Sequence, residues 1–137
     1  MSYTKTETPM ITPPTEDEFD DLIAQAIGQL SQEGIEGLEN VAITSADVPT
    51  PEQLQKLKLR GDQLLLGLYE GVPLTKRGIH YTFALPDKIT LFRLALARIA
   101  KDEDDLPRQI RHTLWHEIAH YYGLDHPAIH ALEKHHQ

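Results

Sequence analysis

The chain of 137 residues has no cysteine, and its two methionines stand at positions 1 and 10. Without cysteine no disulfide bond can form, and any bound metal ion must take nitrogen or oxygen ligands. No apolar run approaches the roughly 18 residues that a membrane-spanning helix needs. The first residues also lack a basic segment followed by an apolar one, so we expect no secretory signal, no membrane partner and a cytoplasmic location.

Charge and histidine are distributed unevenly along the chain. Acidic residues outnumber Lys and Arg by 21 to 13, and residues 1–50 hold ten acidic residues but one basic residue. Because an acidic surface repels a polyanion, nucleic acid is not an expected partner. Seven of the eight histidines lie instead in the last 26 residues. The histidine-rich end is therefore the first place to look for a site.

Hydrophobic periodicity and turn residues predict an α+β fold with a small sheet. Residues 1–14 are polar and contain three prolines, so we expect a flexible lead-in followed by a single domain over residues 15–137. A capping box of Thr15 and Glu18 predicts the start of an amphipathic helix. The pattern then predicts, in order, a strand near 41–44, a brief helix from Thr50, extended segments at 64–74 and 89–93, a short helix at 94–100, a long helix from about Leu106 to Tyr122, and a last short helix from Pro127.

The long helix carries the residues that indicate chemistry. His116 and His120 are four residues apart, so their imidazoles leave one helix face one turn apart, as two ligands of a tetrahedral zinc ion require. Glu117 lies beside that face, too far round to be an obvious third ligand, and can act as a general base toward water. Gly123 lets the backbone turn back, so that His126 can approach as a third ligand. Three ligands leave a fourth position open, which is typical of catalytic zinc sites.

The run HEIAHYYGLDH, from His116 to His126, resembles the long motif HExxHxxGxxH of the metzincin metallopeptidases at every defined position. A closer resemblance is to small bacterial "minimal zincin" proteins. It is carried by the same run together with LLGLYEGVPLT at 65–75 and PDKITLFR at 86–93, and it covers about residues 16–132.

This resemblance implies a zincin-like core, in which a small mixed β-sheet packs with an N-terminal helix and an active-site helix. It implies one zinc ion per chain, held by His116, His120 and His126, with Glu117 as the catalytic base. The expected function is that of a zinc-dependent hydrolase, a metallopeptidase acting on a peptide or protein substrate.

Two alternatives remain open at this point. No methionine follows the motif, so the methionine turn beneath the metal of metzincins cannot exist here, and a short chain offers few residues for a specificity pocket. A metal-binding module without catalysis is the first alternative. The second is a metal-dependent endoribonuclease, because His116, His120, Gly123, Asp125 and His126 also fit the pattern HxxxHxxGxDH of that family. A small residue at the position of Glu117 is typical there, and the acidic N-terminal third disfavours an RNA surface.

Several neighbours of the motif have two possible roles each. His112, one turn before His116, is either a surface histidine or a further ligand, and Asp125 either orients a ligand or caps the next helix. Tyr121 and Tyr122 pack or donate to an oxyanion. Arg93 pairs with acidic segments or meets a substrate carboxylate, and Ile89–Arg93 is the candidate edge strand for holding a peptide. Leu114, Trp115, Ile118 and Ala119 are predicted to form the buried side of the helix.

Overall fold

A computed structural model describes residues 2–5, 11–35, 41–59, 63–71 and 87–123. Within these ranges the elements are, in order, β1 (Ser2–Lys5), α1 (Glu16–Gln32), β2 (Ala42–Ala46), α2 (Pro51–Leu57), β3 (Gln63–Glu70), β4 (Lys88–Phe92), α3 (Arg93–Ile99) and α4 (Asp105–Tyr122). The predicted α+β class is confirmed. None of the helices in these ranges is long and apolar enough to cross a membrane. The predicted short helix from Pro127 lies outside the described residues.

The start of α1 and the end of α4 lie where local sequence signals predict. The Thr15 hydroxyl accepts a hydrogen bond from the Glu18 amide at 3.2 Å, and the Glu18 carboxylate accepts one from the Thr15 amide at 2.9 Å. These bonds, the one from the Thr15 backbone foremost, hold the pKa of Glu18 below its usual value. At the other end of the chain, α4 stops at Gly123, whose φ of 86° lies in the left-handed region that glycine adopts without strain.

In the part of the chain that the structure describes, the sheet has four strands in the order β1-β3-β4-β2, and it is mixed, as the resemblance implies. β4 runs parallel to β2 and antiparallel to β3. It is therefore an interior strand with neighbours on both sides, and the prediction that Ile89–Arg93 forms a peptide-binding edge is wrong. The physical reason is visible in its composition, since Ile89, Leu91 and Phe92 are all fully buried and residues on both faces of the strand are apolar, which is typical of a central strand.

The strand β1 lies inside the segment predicted to be a flexible lead-in. It pairs antiparallel with β3, from Lys5 opposite Gln63 to Ser2 opposite Gly67, with an irregularity between Ser2 and Tyr3. Without β1 the outer edge of β3 would expose a row of unpaired backbone groups. Four residues carry too short a pattern to predict such a strand, because its pairing partner lies about 60 residues away in sequence.

The helix α4 packs against α1 on one side and against β3 and β4 on another. Apolar side chains at helical spacing on α1 and α4 meet the sheet residues in one continuous core. Its most deeply buried members are Phe19, Leu30, Leu65, Ile89, Leu91, Phe92, Leu96, Ile110, Leu114 and Ile118. Burying each such side chain contributes about 1.5–3 kcal/mol, so α4 is held against both layers and presents its remaining face in a defined orientation.

Candidate metal centre

Three of the four predicted site residues come together on α4. The candidate ligand atoms of His116, Glu117 and His120 all lie within 4.8 Å of one another. The two imidazole rings have centroids 5.1 Å apart and an interplanar angle of 64°. Both histidines are partly exposed, whereas Glu117 has an exposed fraction of 0%. The carboxylate therefore lies nearer the two histidines than its place around the helix suggests.

The Glu117 carboxylate is anchored to the backbone of β3. Its Oε1 atom accepts a hydrogen bond from the Tyr69 amide at 3.0 Å. Tyr69 lies two residues beyond Gly67, which among the described residues is the last one of β3 in register with β1. A buried carboxylate is costly unless it accepts hydrogen bonds. The contact thus stabilises Glu117 beside the two histidines.

The donor set suits a zinc ion. Two imidazole groups and a carboxylate are ligand types that zinc accepts, and a chain without cysteine can offer no thiolate. The third predicted ligand, His126, lies outside the described residues and stays a prediction. The same holds for Asp125 and for the remaining histidines His80, His130, His135 and His136.

Other residues near the motif make packing contacts. Tyr121 is buried, and its ring makes an edge-on contact with Tyr69 at a centroid distance of 5.9 Å. Tyr122 packs against Tyr121 and is partly buried against the core. Leu114, Trp115, Ile118 and Ala119 are buried as predicted. Among the described residues the group of candidate ligands does not include His112.

Arg93 contacts two segments that flank α1 and β2, and it forms the predicted ion pair with an acidic segment. Its Nε atom donates to Asp47 Oδ1 at 2.9 Å, and its Nη1 atom donates to the Pro14 carbonyl at 2.7 Å. The hydrogen bond lowers the pKa of Asp47 and raises the pKa of Arg93. The guanidinium therefore holds the residues before α1 and after β2 against the end of β4.

Sequence reasoning missed two residues of the site. The amide donor of Tyr69 has no sequence signature, because every residue other than proline carries such a donor. Gly67 lies opposite α4, and a methyl group there would stand 3.3 Å from Glu117 Cγ. An isolated glycine inside the strand QLLLGLYE is itself a signal of close backbone approach, and it could have indicated this contact.

In a comparison with known protein families, the sequence model of a family described as zincin-like metallopeptidase matches residues 38–136, which is most of the chain. The matched range contains β2, β3, β4 and α4, and so the whole candidate metal centre. A comparison with curated proteins gives no match.

Proposed function

The chain belongs to the zincin-like metallopeptidase family, and from this premise we propose that it is a zinc-dependent peptidase with Glu117 as its general base. His116 and His120, with His126 as third ligand, would hold one zinc ion. The observation that carries the proposal is the cluster on α4, in which a buried carboxylate oxygen and two imidazole nitrogens lie within 4.8 Å of one another.

The two oxygens of Glu117 have separate tasks in this proposal. Zinc, when bound, supplies Lewis acidity toward a carbonyl group and toward water. The Tyr69 amide holds Oε1 and so restrains rotation of the carboxylate. Oε2 takes the proton from the attacking water and then delivers it to the leaving amine of the cleaved peptide. Because Glu117 is fully buried, the carboxylate exchanges this proton away from bulk solvent.

A peptide is the substrate class that the sheet supports. Among the described residues, β1 is in register with Gln63–Leu65 and Gly67 of β3 and with none of Leu68–Glu70. The Tyr69 amide is held by Glu117, so a peptide at this stretch would use its other backbone groups. An extended peptide binds such an edge through its backbone. β1 itself is an antiparallel strand on this edge. The outer edge of β3 thus replaces β4 as the strand that we propose for substrate binding.

The proposal is tested by incubating the purified chain with a peptide library, with zinc, with a chelator and after restoring zinc. We expect cleavage that the chelator abolishes and zinc restores. His120→Ala should lose both zinc and cleavage, while His112→Gln, one helical turn before the cluster, serves as the matched control and should retain both. Cleavage that survives the chelator or His120→Ala would contradict the proposal.

The two alternatives give different results in the same assays. A non-catalytic metal-binding module would bind zinc and cleave no peptide. An endoribonuclease would cleave structured RNA in a metal-dependent way; Glu117, and the acidic first turn of α1 at Glu16, Asp17 and Glu18, disfavour it. The absence of nucleic-acid and membrane partners and the cytoplasmic location stay predictions from the sequence.

A further inference from the structure

We propose that Gly67 is a positioning residue for Glu117: its missing side chain lets α4 lie close enough to β3 for the Tyr69 amide to hold the Glu117 carboxylate. The effect on turnover rests on the proposed function, whereas the effect on the hydrogen bond does not. Gly67 is not among the described glycines with positive φ. Its backbone conformation is therefore open to other residues, and what the position requires is space.

The space at Gly67 is already filled by α4 and β4. A Cβ atom on Gly67 would lie 2.8 Å from Thr113 Cγ2, 3.2 Å from Leu91 Cδ2 and 3.3 Å from Glu117 Cγ. All three side chains are buried, with exposed fractions of 0–1%. A methyl group at this position therefore meets closely packed atoms of α4 and β4.

Rotation of the Thr113 side chain offers little relief of this strain. Thr113 is β-branched and lies within α4, where only two χ1 rotamers are common. The remaining way to separate the atoms is a shift of α4 away from β3 by a few tenths of an ångström. The Tyr69 amide and Glu117 Oε1 are 3.0 Å apart, which is an ordinary N–H···O distance. A shift of a few tenths of an ångström takes the two atoms to or beyond about 3.2 Å, the usual upper limit of such bonds, and so weakens this bond.

The two contacts lie on the same two elements. Gly67 and Tyr69 are two residues apart on β3, so they share a face of the strand, and Thr113 and Glu117 are one turn apart on α4. Closest approach at Gly67 and Thr113 thus sets the distance at Tyr69 and Glu117. A glycine normally weakens a strand interior, and here it allows the contact that orients the base.

The decisive measurement is amide hydrogen exchange by NMR on Gly67→Ala, with the amide of the buried Ile23 in α1 as internal reference for global stability. We expect the Tyr69 amide to exchange about tenfold faster relative to Ile23 than in the unaltered protein. Thr113→Ser removes the Cγ2 methyl, so the double variant Gly67→Ala/Thr113→Ser should regain the original ratio. Gly28→Ala should leave the ratio unchanged. Gly28 is an exposed residue of α1, and a Cβ atom added there would meet no described atom within 4 Å apart from its own helix.

An unchanged Tyr69 ratio in Gly67→Ala overturns the proposal. If Gly67→Ala does not fold, the double variant decides: it should fold with the original ratio, and its failure to fold overturns the assignment of Thr113 as the obstructing residue. These outcomes do not depend on whether the protein cleaves peptides.

Kinetics provide the second readout. In Gly67→Ala we expect kcat to fall about tenfold or more, with KM and zinc content unchanged, because the ligands and the binding edge are retained. A faster-exchanging Tyr69 amide with unchanged kcat would show that the hydrogen bond does not serve the base. An unaltered protein that binds zinc but cleaves nothing would refute the proposed function and leave the exchange result intact.

Discussion

Replacing Glu117 by Gln separates the acid–base role of this residue from its structural role. Glutamine has nearly the same shape as glutamate. It keeps a carbonyl oxygen that can accept the hydrogen bond from the Tyr69 amide, which in the unaltered protein lies 3.0 Å from Glu117 Oε1. It loses the ability to take a proton from water. Alanine, by contrast, removes both the base and the hydrogen-bond acceptor.

The expected magnitudes follow from the burial of the side chain. Removing a general base costs about 10²–10⁴-fold in turnover, and Gln and Ala should lose it alike. Their stabilities should differ. In the Ala variant the Tyr69 amide loses its acceptor, at a cost of about 1–3 kcal/mol, and the buried methylene beside Gly67 is lost, at about 0.8 kcal/mol. We therefore expect the free energy of unfolding of Glu117→Ala to be about 2–4 kcal/mol lower than that of Glu117→Gln.

Three assays on the Glu117 variants test these expected differences in turnover, zinc content and stability. Peptide cleavage gives kcat, metal analysis gives the zinc content, and urea unfolding without metal gives the free energy of unfolding. Glu117→Gln should keep zinc and lose turnover, because His116 and His120 are intact. A Gln variant with nearly unaltered kcat would refute the role of Glu117 as base. Gln and Ala variants of equal stability would refute the structural role of the Tyr69 contact.

Two further predictions concern the N-terminal ends of α1 and α4. Thr15→Ala removes the hydroxyl that caps α1 and should lower the free energy of unfolding by about 1 kcal/mol in urea titrations; an unchanged midpoint would argue against the capping box. Burial raises the pKa of Asp105, but hydrogen bonds led by the Lys101 amide outweigh it and leave that pKa below its usual value. Such a group stabilises the fold above its unfolded pKa of about 3.9 and loses this effect as pH falls through the folded value. Asp105→Asn should therefore be less stable than the unaltered protein at pH 7, with the difference shrinking below about pH 4, and a difference that does not vary with pH would contradict this.

Local signals predicted the helices of this fold well, and pairings between distant segments less well. The capping box at Thr15, the start of α2 after Thr50 and the left-handed Gly123 depend on a few neighbouring residues, so they can be recognised in sequence. Strand β1 and the interior position of β4 depend on which strands meet. Pairing partners carry no comparable local signature, which is why both were missed.

The same contrast holds within the candidate site. The spacing of His116 and His120 predicts their approach because helix geometry alone brings residues i and i+4 together. The contact between Tyr69 and Glu117 joins residues 48 positions apart. It requires α4 to lie at a particular distance from β3, and that distance depends on the packing around Gly67 rather than on any motif.

Metal analysis of the purified chain at neutral pH, after removal of excess zinc, shows directly whether the residues of α4 hold a zinc ion. With His116, His120 and the predicted His126 as ligands, we predict one zinc ion per chain and its loss in His116→Ala and in His120→Ala. A chain that retains no zinc, or variants that retain as much as the unaltered protein, would contradict this prediction.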